Sequence, residues 1–170
     1  MKKLICLIFL LSALAGCMQD LNFRTSSQSD TEIQLPVTSI VVRKSERKLY
    51  LMHEKNVIRT YRVGLGFSPK GHKTAKGDGK TPEGNYWIDR KNPQSKFHLS
   101  LGISYPNAAD RARSKALGVE PGGDIFIHGE DRKPHFWKRD WTQGCISLKN
   151  EQIEEIYAHV RIGTPVLIQP

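Results

Sequence analysis

The chain has 170 residues, 26 basic against 17 acidic side chains, and a formal net charge of +9; that is length for one domain with a proper core. Its basic residues are dispersed, and there is no basic helix, zinc-finger spacing or aromatic RNA-binding signature, so nucleic acid is excluded as the expected partner.

Met1-Lys2-Lys3 is a short basic start, Leu4 to Leu14 is almost wholly apolar, and Ala15-Gly16-Cys17 follows. Residues 1–16 read as a secretory signal peptide, too short in its apolar run for a permanent membrane span. The ending Leu14-Ala15-Gly16-Cys17 resembles the bacterial lipobox, which implies a mature chain that begins at a lipidated Cys17 and is held to a membrane by its acyl chains. Met18 rather than Asp after that cysteine leans towards the outer membrane, on its periplasmic face. Loss of Lys2 and Lys3 leaves 24 basic against 17 acidic residues, a net +7. An exported chain of that charge suits an anionic wall polymer or membrane surface. Residues 17–37 are rich in Ser and Thr with little apolar periodicity, and are expected to be a flexible tether.

The folded part is expected over residues 38–170. Ile40-Val41-Val42, Lys48 to Met52 and Val57 to Val63 are three strand-like runs joined by polar turns, the pattern of an antiparallel meander. Gly64 to Gly84 is a glycine-rich polar stretch. Its Gly79-Lys80-Thr81 lacks the preceding spacing of a phosphate loop, since Thr74 stands where the first glycine belongs. A wall of a substrate cleft and a disordered surface loop both fit this stretch. Gly84 to Ile88 and Phe97 to Ile103 alternate as strands. Asn107 is expected to cap a helix that Gly118 ends. Asn150 is expected to cap a second helix, with Ile153, Ile156, Tyr157 and Val160 as its apolar stripe. Val166-Leu167-Ile168 is a last strand. Strands dominate, so the fold class is mainly β with two short helices.

The chemistry concentrates between Ile125 and Leu148. Ile125-Phe126-Ile127 delivers His128 and Gly129 at a strand end, and Gly144-Cys145 lies in a turn beyond a polar, aromatic loop. Cys6 leaves with the signal peptide and Cys17 takes lipid, so Cys145 is the free thiol. An exported protein usually pairs or avoids cysteine, and a lone one is either a buried small hydrophobe or a nucleophile. The Gly144 turn favours the nucleophile. His128 can act as the base, with its second ring nitrogen held by a backbone carbonyl such as that of Gly129. The amides of Gly144 and Cys145 can face a developing oxyanion. The N-terminal field of the helix near Asn150 is expected to depress the thiol pKa. A zinc site from His128, Asp131, His135 and Cys145 has no compact ligand spacing, so neither metal nor cofactor is expected.

These residues resemble the YkuD-type L,D-transpeptidase catalytic domain. The segments that match are Lys80-Thr81-Pro82-Glu83-Gly84, Phe97 to Leu101, Pro121 to Gly129, and Thr142-Gln143-Gly144-Cys145-Ile146. The resemblance implies a β-sandwich of mixed sheets and a cysteine enzyme acting on peptidoglycan stem peptides. Cys145 would attack the bond between meso-diaminopimelate (or L-lysine) and D-alanine of a tetrapeptide stem. D-alanine would leave, and an amine or water would resolve the thioester. His128 would be the general base, oriented by Gly129, with Gly144 and Cys145 donating to the oxyanion. Two positions depart from the family pattern. Gln143 stands where histidine is common; it can donate a hydrogen bond but carries no charge. Ser147 stands where Arg or Asn is common, which leaves carboxylate recognition to another basic residue, with Arg132, Lys133, Lys138, Arg139 and Lys149 as candidates. Two further readings share these residues. One is an L,D-carboxypeptidase, or a hydrolase that detaches wall-linked protein; the other is a non-catalytic wall-binding lipoprotein.

Overall fold

A computed structural model of the protein describes residues 33–130 and 139–170. The expected signal peptide, Cys17 and most of the tether lie outside the described residues, as do Asp131, Arg132, Lys133, His135 and Lys138.

Alternation of apolar and polar side chains makes the first strands. In β1 (Ser39–Arg43) and β2 (Lys48–His53), Ile40, Val42, Leu49 and Leu51 are fully buried while their neighbours stay wetter, the period-two pattern of a half-buried sheet. β3 (Asn56–Arg62) completes the antiparallel meander. The chain returns much later to β1, because β8 (Pro165–Gln169) pairs with it in parallel. Register lines up the inward residues: Ile40 lies opposite both Leu51 and Val166, and Val166 lies opposite Tyr86 of β4.

β4 (Gly84–Ser95) is longer than the five-residue run expected from Gly84 to Ile88. Its first residues pair with β8, and its later ones pair with β5 (His98–Ile103). Register shifts after Ile88 and after Asn92 let it pass through polar residues that break simple alternation, which is why its second half escapes a reading based on hydrophobic period. β6 (Phe126–His128) pairs with β5, and β7 (Ile146–Ser147) pairs with β6 in parallel. The order is β3-β2-β1-β8-β4-β5-β6-β7, an eight-stranded mixed sheet. With two helices among the described residues, the mainly β class and mixed strand directions hold.

Helix α1 (Ala108–Ala116) begins as expected. Asn107 Oδ1 accepts from the Asp110 amide and Asp110 Oδ2 from the Asn107 amide, each at 3.0 Å, a reciprocal box that satisfies two end donors. Helix α2 (Asn150–His159) differs at its start: Lys149 is the cap and Asn150 is the first helical residue. The Asn150 side chain is used elsewhere, accepting the Glu130 amide at 2.9 Å. At the other end of α2, Lys91 of β4 donates to the carbonyls of Tyr157 and Val160, supplying a cation where the helix leaves orphan acceptors. Ile153 and Ile156 face inward and are fully buried, and α2 lies against β5. One core runs through both ends of the sheet, from Leu49 and Leu51 to Ile127 and Ile146.

Candidate active site

The site forms where β6 and β7 run in parallel. Ile127 lies opposite Ile146 and His128 opposite Ser147. Ile127 and Ile146 are both fully buried in the core. By the two-residue period, His128 and Ser147 turn to the other side of the sheet, and Cys145 lies in the turn that leads into β7. Strand pairing therefore sets His128 opposite Ser147, two residues past Cys145, across a long loop in the chain.

His128 is 2% exposed. Its ring stacks on Phe97, with centroids 4.5 Å apart, and meets the edge of Trp141 at 5.7 Å. Nδ1 lies 2.6 Å from the Gly129 carbonyl oxygen. A carbonyl can only accept, so Nδ1 bears the hydrogen, and Nε2 is the nitrogen that takes up a proton. Gly129 is held on three sides. A Cβ there would lie 2.5 Å from Asn150 Oδ1, 2.9 Å from the Phe97 carbonyl and 3.0 Å from Ile153. The first turn of α2 thus fixes the carbonyl that orients the imidazole.

Cys145 is partly buried, and its Sγ donates to the Asp124 carbonyl at 3.5 Å. Burial pushes the thiol above its ordinary range, and the Asp124 carboxylate adds to the rise; the Phe126 amide and the Lys73 ammonium pull it down without prevailing. The shift is opposite to the expected depression, because desolvation of the anion outweighs the fields around it. Gly144 has φ +133° and sits against the Lys80 carbonyl, where a Cβ would come within 2.6 Å. The Gly144 amide donates to Thr142 Oγ1 at 3.1 Å, and the Thr142 hydroxyl donates to the Cys145 carbonyl at 2.7 Å. That amide is therefore committed within the turn. Gln143 is exposed and lines a pocket beside the site. Ser147 is buried with its Oγ against Gly64, where a Cβ would approach to 2.5 Å.

The glycine-rich stretch is a built wall. Gly64 bridges to Ser147 and Gly66 to Thr142, so residues 64–67 run along the cysteine turn. Thr81 is fully buried, and its hydroxyl accepts the Gly66 amide at 3.1 Å. Lys44, buried at the end of β1, donates to the carbonyls of Gly71 and Thr81 and to Glu83 Oε1 at 2.6, 2.9 and 2.8 Å. Asp78 accepts from the amides of Thr74, Ala75 and Lys80 and from Lys73 Nζ. Sequence reasoning passed over Lys44, Lys73 and Asp78. The local signal was Gly77-Asp78-Gly79, a carboxylate between two glycines that both take positive φ. Of the expected carboxylate-binding candidates, Arg139 and Lys149 are exposed, and Arg132, Lys133 and Lys138 fall outside the described residues.

The sequence model of the YkuD L,D-transpeptidase catalytic domain matches residues 37–168. The chain belongs to this family. It is 29% identical over 184 residues to YafK of Escherichia coli (strain K12), whose name carries its L,D-transpeptidase assignment as provisional; the match covers 100% of this chain and 68% of that protein. The helical cell shape determining protein Pgp2 of Campylobacter jejuni superposes with a TM-score of 0.61 at 27% identity, over 79% of this chain and 48% of that one. Bd1075 of Bdellovibrio bacteriovorus gives 0.58 at 25% identity, over 81% and 51%. An L,D-transpeptidase of Enterococcus faecium, a C442S mutant, shares the fold with a TM-score of 0.52 at 18% identity, over 79% and 50%. The chain spans about half the length of these solved structures.

Proposed function

We propose that the protein is a peptidoglycan-modifying cysteine acyltransferase, an L,D-transpeptidase acting on tetrapeptide stems, with Cys145 as nucleophile and His128 as general base. The observation that supports this reading most is the parallel pairing of β6 and β7. It puts His128, whose Nδ1 is tied to Gly129, opposite Ser147, two residues after the thiol that follows Gly144. His128 Nε2 takes the thiol proton, which matters more here because burial keeps the thiol neutral at rest. The sulfur attacks the carbonyl of the diaminopimelate–D-alanine bond. The oxyanion faces the Cys145 amide, since the Gly144 amide already serves Thr142. As the intermediate collapses, the imidazolium returns its proton to the amine of D-alanine, which leaves, and a thioester remains on Cys145. An amine acceptor then closes a cross-link; water instead releases a tripeptide.

The test is incubation of the protein with purified tetrapeptide muropeptides and mass spectrometry of the products. Cross-linked dimers that vanish in Cys145→Ala and fall at least ~100-fold in His128→Gln are expected. Tripeptides without dimers would assign the hydrolase reading. Equal product from wild type and Cys145→Ala would overturn the enzyme reading and leave a wall-binding role.

The first residues support a location. A basic start, an apolar run and Leu14-Ala15-Gly16-Cys17 match export and lipidation at Cys17, which would hold the domain against the wall from the periplasmic face. Cys17→Ser is expected to move the protein from the membrane fraction to the soluble one; retention in the membrane would refute the anchor.

A further inference from the structure

Ser147 offers no cation to a substrate carboxylate, and its hydroxyl is turned against Gly64. A pocket of about 620 Å³ opens beside the cysteine turn, lined by Lys73, Lys76, Glu120, Asp124 and Gln143, among others. Two of these adjoin the thiol: the Asp124 carbonyl accepts from Sγ, and Gln143 precedes Gly144-Cys145. Lys73 differs from the other basic residue there. It is 3% exposed, whereas Lys76 is exposed. A lysine ammonium is almost never buried without partners that hold it. Here the Ala75 carbonyl accepts at 3.0 Å and Asp78 Oδ1 at 2.8 Å. Asp78 is in turn fixed by three amides of the same loop. The ammonium is therefore preorganised on the cleft wall, and little side-chain entropy remains to be lost when an anion binds. An ammonium has three donors, and among the described residues two are taken. Its field also reaches the thiol and favours the anion there.

We propose that Lys73, clamped by Asp78, is the specificity-determining cation that binds a carboxylate of the acyl-donor stem, in place of a basic residue at position 147. This rests on the acyltransferase reading above. The clamp makes Lys73 a fixed point charge rather than a surface lysine free to swing away. Glu120 lines the same pocket, as does Asp124, whose carboxylate pairs with Arg90 at 3.0 Å; Glu120 favours an ammonium group, so the pocket suits a stem residue that bears both charges.

The first arm of the test needs no peptidoglycan. Cys145 in the full chain is alkylated with iodoacetate and with iodoacetamide, which differ in charge but attack the same thiolate. Dividing the two rates cancels the thiolate fraction and leaves the preference for an anion. Relative to free cysteine, wild type is expected to favour iodoacetate by about tenfold at low salt. Lys73→Met is expected to lose that preference, and Lys76→Gln to keep most of it. Asp78→Asn removes the neutralising carboxylate and is expected to raise the preference. A wild-type ratio equal to that of free cysteine overturns the proposal even if Lys73→Met does not fold, as does a preference that survives in Lys73→Met or disappears only in Lys76→Gln. The second arm uses tetrapeptide stems with free or amidated carboxylates. Lys73→Met is expected to raise KM roughly tenfold for the free acid and to leave the amidated stem unchanged, with kcat moving less than KM. An equal rise for both stems overturns the carboxylate assignment. Wild type that turns over neither stem, with the anion preference intact, refutes the acyltransferase reading and leaves an anion site whose ligand is not a stem peptide.

Discussion

His128 is fixed by its neighbours, whereas Cys145 is shifted by its burial. The imidazole is held by Gly129, packed on Phe97 and edged by Trp141, so its rotamer and tautomer are set before any substrate arrives. The thiol is raised by burial and stays protonated at neutral pH. Its alkylation rate by iodoacetamide is therefore expected to keep climbing beyond the ~8.5 of an ordinary cysteine. A plateau at or below that pH would show that a cation or helix field dominates instead. Two glycines set the backbone on which this depends. Gly144→Ala puts a Cβ 2.6 Å from the Lys80 carbonyl at φ +133°, and Gly129→Ala puts one 2.5 Å from Asn150 Oδ1. Each is expected to cost about 1–3 kcal/mol. Denaturant midpoints measure that cost, and a variant as stable as wild type would mean that the neighbouring backbone yields freely.

At the scale of elements, the loop from Gly64 to Glu83 decides the shape of the cleft, and two charged residues hold it. Lys44 ties it to the end of β1, and Asp78 gathers its turn. Burial alone would raise the Asp78 carboxyl, but Lys73 and the amides of Ala75, Lys80 and Thr74 together hold it below the usual range. A carboxyl depressed in the folded state stabilises fully above the unfolded value of about 3.9, and the contribution is lost as pH falls from there through the folded pKa. The gap in thermal midpoint between wild type and Asp78→Asn is thus expected to be constant above about pH 4 and to narrow below it. A gap that does not narrow as the pH falls below about 4 would contradict the assignment. The same loop shows where reading by pattern stops. Its glycines and lysines look like a solvated segment, and no hydrophobic period marks it. Its order comes from side-chain bonds to its own amides and to β1, which are visible only in three dimensions.

Across the whole described molecule, β4 joins the two halves of the sheet: its start pairs with β8 and its later residues pair with β5. Ile88 lies at that junction and is fully buried. Ile88→Ala is expected to lower stability by about 2–5 kcal/mol, with both halves still melting in one transition. Far-ultraviolet and tryptophan signals should keep a common midpoint; two separated midpoints would show that the halves fold independently.

What the sequence alone determined follows from local rules. β-Branching and short apolar runs named β1 and β6, polar turns bounded β2, alternation named β5, capping chemistry placed α1, and the stripe of Ile153 and Ile156 named the buried side of α2. Motif spacing singled out His128 and Cys145. Only the tertiary structure decided the rest, because each remaining feature joins residues distant in the chain. Parallel pairing sets His128 beside Ser147, burial reverses the expected shift of the thiol, and Asn150 leaves the cap of α2 to hold Glu130. The second half of β4 is paired in spite of its polar composition. Desolvation and long-range hydrogen bonds depend on what packs against a group, and that is a property of the fold rather than of neighbouring letters.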